Sequence, residues 1–237
     1  MQNQPGWAVE VNGEKIDLDD LQKRLPAPFD PWIEQFARCD EQKLVLRSHA
    51  WKRLNSAEEV HMDAARILER LHGQALLYDA EATRLTPGGV CQFDVDGKAH
   101  RTIIANTGKF NITLGRVRLR ATGSTGNSSS PPAETETQKW FRQAEDDENR
   151  GELLIHLSRA KDWYDVYKVM ELIRKTAGGS NGFKRLLGND QREWERIWRT
   201  ANCKRHAPDP IKYPLPDPPA DFNEAWRYVL CKAKDII

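Results

Sequence analysis

Residues 121–138, ATGSTGNSSSPPAETETQ, hold no large apolar side chain and are rich in Ser, Gly, Thr and Pro. A stretch of that composition cannot bury enough surface to offset the entropy of ordering itself, so it reads as a flexible tether. It divides the chain into residues 1–120 and 139–237, each long enough to enclose a core of its own. The apolar spacing differs on the two sides. Alternation dominates before the tether, and a period of 3.6 dominates after it. The expected class is therefore α+β: a small N-terminal antiparallel sheet with one long helix, the linker, and a C-terminal all-α four-helix bundle.

In the first part, Trp7, Val9 and Val11 alternate up to Asn12-Gly13, and Ile16 and Leu18 alternate after it. Asn-Gly between two such runs predicts a β-hairpin. PAPFDPW at 26–32 carries three prolines and reads as a loop, while Lys43–Trp51 reads as a strand. Ser56 with Glu59 forms a capping box, after which Val60, Ala64, Ile67, Leu68 and Leu71 keep the helical period. A further hairpin is expected from residues 90–95 and 102–104, turning at Asp96-Gly97. A last strand, ITLGRVRLR, would set Arg116, Arg118 and Arg120 on one face. That stripe suits a phosphate backbone or simply the wet face of an antiparallel sheet.

The second part reads as helices throughout. One is expected over residues 140–159. Another is capped by Asp162, buries Trp163, Val166, Tyr167, Met170 and Ile173, and is stopped by Gly178-Gly179. A third follows an Asp190/Glu193 capping box. The proline-rich HAPDPIKYPLPDPP crosses to a final amphipathic helix behind a third box, Asp221 with Glu224.

Composition narrows the chemistry. A net charge of +1 means that any polyanion site must be a local patch. Cys39, Cys91, Cys203 and Cys231 show no CxxC spacing, and no His pairs with a carboxylate in an HExxH frame, so neither a metal nor a cofactor is expected. Reduced thiols and the absence of a leader or a membrane-length apolar run point to the cytoplasm and to no membrane partner.

The locally basic stretch is Lys184–His206, with seven Lys or Arg against three acids. Within it Trp194, Ile197, Trp198 and Ala201 recur at i, i+3, i+4 and i+7 and should face a core, leaving Arg192, Arg196 and Arg199 outward. Arg199 and His206 lie seven apart, so they share one stripe if the helix runs that far. A histidine can move a proton to or from a ribose 2′-OH, and an arginine can hold a phosphate as charge builds. The pair resembles the R-x(4-6)-H signature of the HEPN superfamily, small helical bundles that include metal-independent RNases acting as dimers. The same spacing occurs at Arg66–His72 and Arg150–His156.

DWYDVYKVMELIRKTAGG followed by EWERIWRTANCKRHA also resembles the C-terminal region of a family of uncharacterised bacterial proteins, with a W-x-D-(L/V)-Y-K helix and a T-A-N segment ending in R-H-A. Two readings stand beside each other. In the first, which the HEPN resemblance implies, the chain binds or cleaves RNA as a homodimer: His206 is the acid/base, Arg199 holds the phosphate, Asn202 positions, and Arg192, Arg196, Lys204 and Arg205 contact the nucleic acid. In the second, the helical domain is a non-catalytic interaction module for a protein partner. Whether the chain is an enzyme stays open between them.

Overall fold

The computed structural model describes residues 5–38, 41–96, 98–104, 133–206, 212 and 214–237. The chain is α+β, with an antiparallel sheet first and a helical region after it. It divides into two compact units. A sheet unit comprises residues 1–65 and 85–138, and a helical unit comprises residues 66–84 and 139–237. The arginine strand read at residues 112–120, and most of the tether, lie outside the described residues.

In the sheet unit, β1 (Gly6–Asn12), β2 (Trp32–Arg38), β3 (Glu41–Arg47), β4 (Thr86–Phe93) and β5 (Ala99–Thr102) run in the order β2-β3-β1-β4-β5, every pair antiparallel. The hairpin expected at Asn12-Gly13 does not form. The chain enters helix α1 (Lys15–Arg24) instead. Leu18, Leu21 and Leu25 recur at helical spacing, which buries Leu21 and Leu25 where an alternating strand would not. The β2 strand emerges directly from the proline loop and pairs with β3 from Trp32↔Arg47 to Arg38↔Glu41. The hairpin expected between 90–95 and 102–104 does form, as β4 and β5. Its turn is tied by Asp94, whose side chain accepts from the N–H groups of Asp96 at 3.0 Å and Lys98 at 2.8 Å.

One face of this sheet packs Ala8, Val45, Cys91 and Phe93, with Phe36 against them. Charge is also buried there. Glu10, on β1, accepts two bonds from the Arg101 guanidinium on β5, both at 2.7 Å, and a third from the Gly89 N–H at 3.3 Å. A carboxylate taken out of water survives only when its oxygens are satisfied in this way. The same bonds hold Arg101 above its ordinary pKa.

Helix α2 (Ala57–Tyr78) begins where the Ser56/Glu59 box placed it: the Ser56 hydroxyl accepts from the Glu59 N–H at 3.2 Å, and the Glu59 carboxylate accepts from the Asn55 N–H at 3.0 Å. Its first residues count with the sheet unit and the rest with the helical unit.

The helical unit adds α3 (Glu136–Asp146), α4 (Glu148–Arg159), α5 (Trp163–Thr176), α6 (Gly179–Leu187), α7 (Gln191–Arg205) and α8 (Phe222–Lys234). The single helix read over 140–159 is two, because Asp147 turns to extended backbone and caps α4 through the Asn149 N–H at 3.0 Å. Residues 136–138, assigned to the tether, open α3, and Gln138 is fully buried. Arg66–Arg84, which lies in the first part of the sequence, counts with the later helices.

The core of this unit is built around α5, whose Val166, Val169, Met170 and Ile173 are inaccessible to solvent. The caps on either side of it were expected. Asp162 accepts from the N–H groups of Tyr164 and Asp165, and Asp221 with Glu224 closes a reciprocal capping box on α8. Asp190 and Glu193 do not form theirs: the Asp190 carboxylate is drawn to Lys232 at 2.7 Å and Glu193 to Arg196 at 2.6 Å. A buried ammonium is a stronger claimant than a solvated backbone N–H.

Candidate polyanion surface of the helical unit

On α7, Trp194, Ile197 and Ala201 are buried, so its inner face is the one their spacing predicts. The outer side chains sort into two groups. Arg196 is held by Glu193, through bonds of 3.0 and 2.6 Å, and by Glu224 on α8. These bonds raise its pKa and lower that of Glu224. Arg205 donates through Nε to the Asn202 Oδ1 at 3.1 Å and lays its guanidinium 3.4 Å from the centroid of the Tyr167 ring. Both guanidiniums are thereby engaged inside the unit.

Arg192, Arg199 and Lys204 form the other group. They are exposed and make no ion pair or hydrogen bond with any other described residue. Arg192 and Arg199, seven apart, lie on one stripe about 10.5 Å from each other along the axis. The helix ends at Arg205. His206 is its C-cap in extended conformation, half-buried, with its N–H donating to the Cys203 carbonyl at 3.3 Å. In each of the other two Arg-His pairs, one member is held within the helical unit. His72 is occupied at both ring nitrogens, by Ser158 at 2.9 Å and the Ala82 carbonyl at 3.1 Å. Arg150 is bonded to Gln143 and to the Ile237 carbonyl.

Sequence reasoning missed what lies beside α7. Gly178 and Gly179 do end α5, but their φ values of 78° and 80° turn the chain at once into α6. Only glycine takes such angles freely. The next glycine, Gly182, has no room for a side chain, since a Cβ there would fall 1.8 Å from the Ala177 carbonyl oxygen. The signal that could have found this helix is Phe183, Leu186 and Leu187 at i, i+3 and i+4, in a stretch only nine residues long that opens on glycines.

Helices α5, α6 and α7 line an open cavity of about 680 Å³. Arg174, Lys175 and Lys184 line it with positive charge, against one carboxylate, Glu171. That carboxylate is bonded to Lys168 at 2.8 Å and holds its pKa up. Aromatic rings make another part of the wall: Tyr167 and Trp198, with centroids 4.4 Å apart, and Phe183, which stands edge-on to Trp194 at 5.0 Å. Burial raises the Tyr167 hydroxyl above its ordinary pKa, so it is neutral and serves as a hydrogen-bonding group.

Compared with models of known families, with curated proteins and with solved structures, the chain matches none. Among the described residues, no helix is long and apolar enough to cross a membrane.

Proposed function

We propose that the helical unit binds RNA through the outer face of α7, as a HEPN-like module of the cytoplasm. The observation that carries this reading is the sorting of cations on α7. Arg196 and Arg205 are neutralised or stacked by groups of the same unit, while Arg192, Arg199 and Lys204 are exposed and pair with no other described residue. Exposed cations of this kind, with Arg192 and Arg199 along one stripe and Lys204 off it, offer a phosphate backbone contacts that release counterions on binding.

The measurement is RNA affinity as a function of salt. Relative to the wild type, R192E/R199E binds a short unstructured RNA at least about tenfold more weakly at low salt, and the slope of log K against log[salt] shrinks by about 1.4, or about 0.7 for each lost contact to a single strand. An unchanged slope with unchanged affinity removes the reading. The cleaving form of the proposal assigns His206 to proton transfer at the 2′-OH and Arg199 to the phosphate. Incubation with RNA in EDTA tests it separately: wild-type protein yields products that His206→Ala does not. Identical product patterns leave a binding protein without catalysis.

A further inference from the structure

We propose that the cavity between α5, α6 and α7 is a binding site for a nucleoside phosphate, a ligand that joins an aromatic heterocycle to an anionic group. Its volume of about 680 Å³ lies within the range of about 300–1,000 Å³ in which small-molecule sites fall.

The two chemistries of its wall point to one ligand. Arg174, Lys175 and Lys184 are all exposed at the rim. The one carboxylate among them is already bonded to Lys168, so the rim presents uncompensated positive charge. A neutral or apolar ligand would leave that charge unanswered. An inorganic anion would answer it and leave the rings idle. Phe183 and Trp198 are only half-buried, so part of each aromatic surface remains open to a planar guest, and Arg174 lies 5.9 Å from the Phe183 centroid, where charge and ring act together. The far side of this wall is braced, since Arg205 covers the Tyr167 ring at 3.4 Å and Tyr167 packs on Trp198. The Ser180 hydroxyl and the Gln191 amide add donors and acceptors for ribose or base. A heterocycle against Phe183 and Trp198, with its phosphate at Arg174 and Lys184, uses both halves of the wall.

The source of that chemistry is a free nucleotide or the phosphorylated terminal nucleotide of an RNA. The assignment stands independently of the α7 stripe, so loss of one reading leaves the other in place. The full chain is titrated with AMP, adenosine and inorganic phosphate, with calorimetry as the readout. AMP saturates, whereas adenosine and phosphate each bind at least about tenfold more weakly. R174E/K184E and the milder Lys184→Gln both weaken AMP, the double variant by at least about tenfold, while their thermal melts match the wild type. Phe183→Leu weakens AMP and leaves phosphate binding unchanged. Competition with 5′-phosphorylated and 5′-hydroxyl RNA oligonucleotides then names the source: displacement of AMP by the phosphorylated end alone assigns the site to an RNA terminus, and no displacement by either assigns it to the free nucleotide. Saturation by neither AMP nor phosphorylated RNA, adenosine binding as tight as AMP, or AMP binding by R174E/K184E equal to wild type overturns the proposal.

Discussion

Gly73→Ala lowers the melting temperature of the full chain by about 4–12 °C, the result of a loss of about 2–3 kcal/mol at roughly 2–4 °C per kcal/mol for a chain of this size. In an exposed helix the same change would stabilise, because alanine is favoured over glycine by about 1 kcal/mol. Here the space is missing. A Cβ at Gly73 would stand 2.1 Å from the Leu154 carbonyl oxygen and 2.8 Å from its carbon. Those are backbone atoms, so no rotamer change relieves the clash, and the later part of α2 must withdraw from α4. Withdrawal stretches the contacts that join these helices, including His72 to Ser158 at 2.9 Å and Arg159 to Glu69 at 2.6 Å. It also opens the core at Leu76, Leu77, Leu153 and Leu154. A thermal melt equal to or above that of the wild type would show that the helices do not approach as described.

The second large effect is at Gln138. The loop at residues 26–31 contains Pro26, Pro28 and Pro31, none of which has an N–H to donate, so its carbonyls must find donors elsewhere. One buried amide supplies them: the Gln138 Nε2 lies 2.9 Å from the Pro26 carbonyl oxygen, 2.8 Å from that of Phe29 and 3.0 Å from that of Pro31. Its two hydrogens are shared over three acceptors. The other end of the amide accepts from the Thr135 N–H at 3.2 Å, which fixes which end points into the loop. Removing the donor leaves buried carbonyls unsatisfied at about 1–3 kcal/mol each, partly recovered where water enters. Gln138→Ala is expected to cost about 2–4 kcal/mol in urea unfolding, and Gln138→Glu more, because a carboxylate turns acceptor against acceptor and brings a charge into a buried site. Equal midpoints for Gln138→Glu and wild type would mean that this amide does not organise the loop.

Local rules reached far along this chain where the deciding atoms are close in sequence. The caps at Asp162 and Asp221, the start of α2 at Ser56, and the buried side of α7 all follow from groups a few residues apart. They failed where a distant group competes. Asp190 has the right neighbours for a capping box, but Lys232, distant in sequence, takes its carboxylate. Ile16 and Leu18 alternate like a strand, and only the burial of Leu21 and Leu25 shows that the period is helical. The tether's composition is polar up to Gln138, yet that residue is inaccessible because its polarity is wanted inside.

The candidate site divides in the same manner. The outward cations of α7 could be named from periodicity, but which of them are already engaged depends on Glu224 and Tyr167, which no spacing rule connects to them. The cavity was illegible for a stronger reason. Its walls come from three helices, one of them only nine residues long, and its charge is apparent only once Arg174 and Lys184 are seen to share a rim.

The membership of Arg66–Arg84 in the helical unit has a consequence for how the protein is made. A ribosome delivers this piece before Leu153, Leu154 and Ser158, so Leu76 and Leu77 wait for these leucines, and His72 for Ser158, until α4 has been made. Expression of residues 139–237 alone would repeat that wait without end, because the missing turn of chain never arrives. The helical unit is thus completed only when helices made later return to a piece made before them.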